Sequence, residues 1–265
     1  MSRPIITLTA DWGSRDFFAG MVKGRIFSQL PDANVVDIAL GLEPYNIVQA
    51  VFVVRSACTT FPEGTIHIID VNSEETIDQS FVAIEYRGQY FICTDNGLPY
   101  AVFGNDFTRA VQLHVFQDSD YFTFAAYNLF CKVAVMIAQG EPFDSLGVAV
   151  DTLNRRQVPT YVDDGSRLSV YVTYADSYGN IYLSLTHSEF EALRRGRRFH
   201  LVVREYTVTE LSPGYDEVRQ TSRNSVRLLL TVSATGYLEL ALKEASATKL
   251  IGVRPGDTVL IYFDD

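Results

Sequence analysis

Residues 5–38, IITLTADWGSRDFFAGMVKGRIFSQLPDANVVDI, decide the fold class. Ile5 to Thr9 is an apolar, partly β-branched run of strand length, and Asp16 to Leu30 sets Phe17, Met21, Ile26 and Phe27 at helical spacing. Val35 to Ile38 is strand-like again. Working outward, Asn46 to Phe61 predicts a second helix and Thr65 to Val71 a third strand, so a mostly parallel sheet covered by helices is expected. The runs Phe81 to Tyr86 and Gln89 to Cys93 flank Arg87-Gly88, a hairpin signal that makes this sheet mixed. Ala110 to Phe116 predicts another strand, and Tyr127 to Gln139 a helix stopped by Gly140.

Beyond Leu153 the segment Asn154 to Pro159 is polar and ends in proline, and the pattern after it changes to strands joined by tight turns. A boundary is placed there, giving an N-terminal α/β domain over residues 1–158 and a smaller C-terminal β domain over residues 159–265. Leu168 to Ala175, Ile181 to Leu185, Phe199 to Thr209, Val226 to Val232, Tyr237 to Leu242 and Thr258 to Phe263 suffice for a small barrel or sandwich.

With 265 residues and 47% apolar content the chain has ample material for buried cores. Arg55 and Lys132 interrupt the longest apolar runs below the roughly 18 to 20 residues of a membrane span. The opening residues lack the pattern of a secretory signal, so a cytoplasmic address is expected. Cys58, Cys93 and Cys131 are odd in number and sit in apolar stretches, which fits core thiols rather than disulfides or metal ligands. A net charge of −10 repels phosphate backbones, and the basic run Arg194 to Arg198 closes a short helical pattern from Ser188 to Leu193. Nucleic acid is therefore not an expected partner.

No glycine-rich phosphate loop occurs, no Gly-x-Ser-x-Gly elbow, and no histidine lies at metal-ligand spacing from another histidine or a cysteine. No metal and no cofactor are expected. What stands out is Thr9-Ala10-Asp11-Trp12-Gly13, which sets a carboxylate just past the carboxyl end of the first strand, where α/β sheets bind ligands. On spacing alone Asp11 is either a holder of two vicinal ribose hydroxyls or a charge at a helix start. Asp70 ends the third strand and would share that edge with Asp11, while Asp95-Asn96-Gly97 is either part of a site or a plain turn.

Together, Thr9 to Gly13, Lys23-Gly24, Phe61-Pro62-Glu63-Gly64-Thr65, Asp95-Asn96-Gly97-Leu98, Thr123-Phe124, Asp176-Ser177-Tyr178-Gly179-Asn180 and Gly236-Tyr237-Leu238-Glu239 resemble the S-adenosylmethionine (SAM) hydroxide adenosyltransferases, fluorinases and chlorinases. Their order and spacing run across nearly the whole chain. The resemblance implies SAM as substrate and a homotrimer, with each adenosyl site between the first domain of one subunit and the second domain of its neighbour. It further implies that Asp11 holds the ribose hydroxyls, that Tyr45 covers the ribose and methionine region, and that Thr123 and Phe124 line the reacting carbon. From the second domain Asp176 and Asn180 would grip methionine, with Tyr178 and Tyr215 flanking adenine.

Hydrolases of this family use an Asp, Arg and His set to activate water. Asp70 matches the Asp, whereas the loop Val71 to Asp78 carries no Arg, the His position falls on Ala125, and Leu40 occupies another position where the family often has His. Glu74, Glu75 and Asp78 are the other acids of that loop. Ala125-Ala126 departs from the halogenase pattern too, and the fluorinase insertion is absent between Ile84 and Tyr90. Two functions follow as expectations: an atypical SAM hydrolase with Asp70 as its base, or a non-catalytic module that binds SAM or adenosine.

Overall fold

In the computed structural model the described residues are 3–117, 123–155, 158, 160–215 and 228–264. The chain divides into two compact units, Met1–Val158 and Pro159–Asp265.

The first unit runs β1 (Ile5–Ala10), α1 (Phe18–Gln29), β2 (Asn34–Ala39), α2 (Ile47–Ala57), β3 (Ile66–Asp70), β4 (Phe81–Tyr86), β5 (Gln89–Thr94), α3 (Leu98–Phe103), β6 (Arg109–Leu113), α4 (Cys131–Ala138) and β7 (Gly147–Ala149). Its seven-stranded sheet has the order β2-β1-β3-β5-β4-β6-β7. β1 pairs in parallel with β2 and β3, and β3 with β5, whereas β4, β6 and β7 add antiparallel. All five residues of β3 are buried, as a central strand covered on both faces requires. The β4–β5 turn falls on Arg87 and Gly88, both at positive φ, the backbone of a two-residue hairpin.

The helix expected over residues 127–139 begins as a π-helical turn, Ala126–Phe130, before tightening into α4. Such wide turns are set by tertiary packing, and here Ala126, Leu129 and Phe130 are driven into the core beneath β3. The predicted strand over residues 110–116 stops at Leu113, and Phe116 is exposed. Cys58, Cys93 and Cys131 are buried free thiols, and burial pushes those of Cys58 and Cys131 up to about 12.

The second unit comprises β8 (Tyr161–Asp163), β9 (Arg167–Ala175), β10 (Ile181–Thr186), α5 (His187–Arg194), β11 (Arg198–Val203), β12 (Tyr206–Val208), β13 (Leu228–Val232), β14 (Tyr237–Leu242), α6 (Ala247–Ile251) and β15 (Thr258–Asp264). It forms a nearly closed antiparallel barrel in the order β12-β11-β15-β9-β10-β14-β13, with β8 on β9 and the ends β12 and β13 in contact. A single strand over 199–209 is not what forms. The chain reverses at Arg204, whose φ is 53°, to give the hairpin β11–β12. Residues 226 and 227 of the predicted strand 226–232 lie outside the described residues. α5 starts at a reciprocal cap between Thr186 and Glu189. The basic run after it packs on the barrel, Arg194 over Phe199 and Arg197 over Phe263.

Candidate active site

Two clusters of polar side chains stand out, one in each unit. The first lies at the carboxyl ends of β1 and β3, which pair in register so that Ala10 faces Asp70. Asp11 follows directly, and its Oδ2 accepts the backbone N–H groups of Tyr45, at 2.8 Å, and Asn72, at 3.1 Å. Asp11 thereby ties together the loops after β1, before α2 and after β3. Tyr45 and Asn72 both have positive φ, 65° and 49°, a conformation that costs about 1 kcal/mol or more outside glycine and is held here by those bonds. Asp11 Oδ1 makes no hydrogen bond among the described residues. The Tyr45 ring is 72% exposed, so it is not a packed core aromatic.

Asp70 is buried and accepts the indole N–H of Trp12 on Oδ2 at 2.6 Å. Burial raises its carboxyl from 3.8 to about 6, with the Asp11 charge adding to the rise and Ser73 and Trp12 opposing it. The Trp12 ring meets Phe124 edge-on at 5.7 Å and lies 6.3 Å from Phe18, which itself meets Phe124 at 4.9 Å. Phe124 therefore stands beside the Asp70 carboxylate partner, and Thr123 next to it is exposed. Ala125 and Leu40 are buried. Glu74, Glu75 and Asp78 are exposed.

Asn96, which the sequence leaves open between a site and a plain turn, is buried and clamps this cluster. Its Nδ2 donates to the carbonyls of Val71 and Asn72, and its Oδ1 accepts from Leu98 N–H. Asp95 takes the N–H of Asn154 at 2.9 Å, anchoring the polar segment that follows Leu153.

The second cluster lines a groove of about 830 Å³ in the barrel unit, bordered by Asp176, Tyr178, Asn180, Tyr182, Tyr215 and the stretch Leu242 to Ser246. Asp176 is its hub. Oδ1 accepts the N–H groups of Tyr178 and Asn180, while Oδ2 accepts Asn180 Nδ2 and the Tyr182 hydroxyl. The segment 176–180 is thus a closed turn and one wall of a groove at once. Tyr178 is 80% exposed. Tyr215 donates its hydroxyl to Glu239 Oε1 at 2.7 Å. Glu239, within Gly236-Tyr237-Leu238-Glu239, is 1% exposed. Burial and the nearby Asp176 raise its carboxyl, and the Tyr215 hydrogen bond opposes the rise. A lone acid in the apolar run YLELAL was the available signal.

Among the described residues no group of three His, Cys, Asp or Glu side chains converges to hold a metal ion, and no helix is long and apolar enough to cross a membrane. Residues 6–147 match the SAM hydroxide adenosyltransferase N-terminal domain, and residues 170–260 match its C-terminal domain. The chain belongs to the SAM hydroxide adenosyltransferase family. It is 27% identical to an (R)-S-adenosyl-L-methionine hydrolase of Salinispora tropica, with 97% of each chain covered. It is 23% identical to an (R)-S-adenosyl-L-methionine hydrolase of Methanocaldococcus jannaschii, over 98% of this chain and 96% of the other. The fold matches an uncharacterized conserved protein from Thermotoga maritima with a TM-score of 0.85 at 21% identity, over 97% and 99% of the two chains. Within this SAM hydroxide adenosyltransferase member, the positions where the family resemblance leads one to look for histidine are filled by buried Leu40 and Ala125.

Proposed function

We propose that the chain hydrolyses SAM to adenosine and methionine, with Asp70 as the general base. The observation that carries this reading is the pairing of two carboxylates at one sheet edge with different tasks. Asp11 keeps one oxygen unbonded among the described residues, open to a ribose diol, and Asp70 is buried beside Trp12 with a proton affinity suited to taking a proton near neutrality. Water oxygen bonds to the ribose 5′ carbon as the C5′–S bond breaks. The bonding pair leaves on sulfur, turning the sulfonium into the neutral thioether of methionine, and the water proton passes to Asp70 and then to solvent. Charge is dispersed in such a step, so orientation and exclusion of bulk water supply most of the acceleration.

Residues 1–158 supply the adenosyl-binding half, with Tyr45 over the ribose and Thr123 and Phe124 along the reacting carbon. The barrel supplies the other half from a neighbouring subunit of a homotrimer: Tyr178 and Tyr215 flank adenine, and Asp176 and Asn180 face methionine. With both Asp176 oxygens engaged in the turn, Asp176 contributes negative charge toward the methionine ammonium, and Asn180 Oδ1, which bonds to no other group among the described residues, contributes the acceptor. Three buried free thiols suit a cytoplasmic setting.

A second reading, a non-catalytic SAM or adenosine binder, draws support from the apolar residues at Leu40 and Ala125. Incubation of the purified protein with SAM separates the two. Adenosine and methionine accumulating above a protein-free blank supports the hydrolase, and calorimetric binding without any adenosine supports the binder.

A further inference from the structure

We propose that Trp12 is the positioning residue for Asp70, its indole N–H standing in for the arginine and histidine that the family's water-activating set would supply. The inference rests on Asp70 being the base. An indole N–H donates only, so it can fix one carboxylate oxygen without ever competing for the proton. At 2.6 Å on Oδ2 the indole N–H is in direct hydrogen-bond contact with the carboxylate, with no space for an intervening water. Phe18 and Phe124 pack the ring at 6.3 Å and 5.7 Å, which limits its rotamers and aims the donor.

The substitution of partner has a chemical consequence. A neighbouring guanidinium would stabilise the Asp70 anion by full charge and make it a weak base, whereas a neutral donor leaves burial dominant and the carboxyl at about 6. A stronger carboxylate base offsets the missing imidazole. The Ser73 hydroxyl is buried close to Asp70 and lowers its carboxyl, against the rise that burial produces. The titratable groups beside Asp70 are Asp11, which follows β1 and raises its carboxyl, and the Cys131 thiol on α4, which the Asp70 charge in turn helps to hold neutral.

Trp12 is the chain's one tryptophan, so its emission reports on this pair alone. Fluorescence of the intact protein between pH 4.5 and 8 is expected to titrate with a midpoint near 6 and to lose that transition in Asp70→Asn. Trp12→Phe is expected to lower kcat about tenfold or more with KM little changed, and to move the acid limb of the rate profile to higher pH. Emission that is flat with pH, or that titrates identically in Asp70→Asn, overturns the proposal, as does an unmoved acid limb in a folded Trp12→Phe. Because emission is read without turnover, a protein that forms no adenosine removes the hydrolase reading and leaves the indole–carboxylate pair to be decided by the titration.

Discussion

Each unit holds two carboxylates close together, and the two pairs differ in how fully their partners satisfy them. Among the described residues at the β1–β3 edge, Asp11 and Asp70 take three donors between them, two backbone N–H groups and one indole, and Asp11 keeps an oxygen free. In the barrel groove, Asp176 alone takes four donors, and Glu239 takes the Tyr215 hydroxyl. A carboxylate saturated by its own turn is a rigid wall with a charge. A buried carboxylate with one neutral donor retains the capacity to move a proton. On the proposed function the first pair carries the reaction and the second holds the ligand.

The largest effect expected from breaking this contrast is at Asp70. Asp70→Asn keeps the shape and the Trp12 contact in altered form but removes the base, and turnover should fall on the order of a thousandfold while calorimetric affinity for SAM changes little. The same variant should be more stable at neutral pH. The folded carboxyl is raised from 3.8 to about 6, so the folded state binds more protons than the unfolded one across that interval, and stability is lost as pH rises from about 4 to 6. Relief of this penalty amounts to about 2 to 3 kcal/mol at pH 7.5 and vanishes near pH 4. Thermal melts of the two proteins at both pH values check it, and equal melting differences at both would mean that Asp70 is not held in a raised state.

The N-terminal layout was legible because its signals are local. Continuous apolar runs mark β1 and β3, and Arg87-Gly88 marks the hairpin. Asp11 and Asp70 were legible as strand-end carboxylates for the same reason. Trp12 and Asn96 were not, since their bonds to Asp70 and to the Val71 and Asn72 carbonyls span 58 and about 25 residues and follow no spacing rule. The β11–β12 turn was missed because Arg204-Glu205 lacks the Gly, Asn or Asp that usually accepts positive φ. β7 and β8, three residues each, are too short to show a period, and α6 spans only five.

A smaller effect, confined to the recognition half, is expected at Gly179. Its φ of 86° disfavours any side chain, and a Cβ there would collide with the Ser246 side chain and approach Thr248 Oγ1 to 2.9 Å. The Gly179 carbonyl also accepts the Thr248 N–H at 3.0 Å, so the turn cannot simply swing away. Gly179→Ala should lose about 1 to 3 kcal/mol of stability and weaken SAM binding about tenfold or more, whereas kcat at saturating SAM should fall far less than in Asp70→Asn. A kcat loss matching that of Asp70→Asn would erase the division between the two clusters.

The smallest expected effect tests whether Glu239 belongs to the wall. Tyr215→Phe removes the one hydroxyl that lowers its raised carboxyl, leaving a buried acid with its cost of ionisation uncovered. The hydrogen bond contributes about 1 kcal/mol, since Tyr215 is itself half-exposed. The folded state already binds its proton more tightly than the unfolded chain, so ionising Glu239 destabilises the barrel as pH rises above the ordinary glutamate range. Losing the Tyr215 donor steepens that slope. Stability of the variant should therefore match the wild type near pH 4 and fall below it by pH 8, in melts of the full chain. A deficit of the same size at both ends of the range would assign Tyr215 to packing alone and leave Glu239 outside the groove's electrostatics.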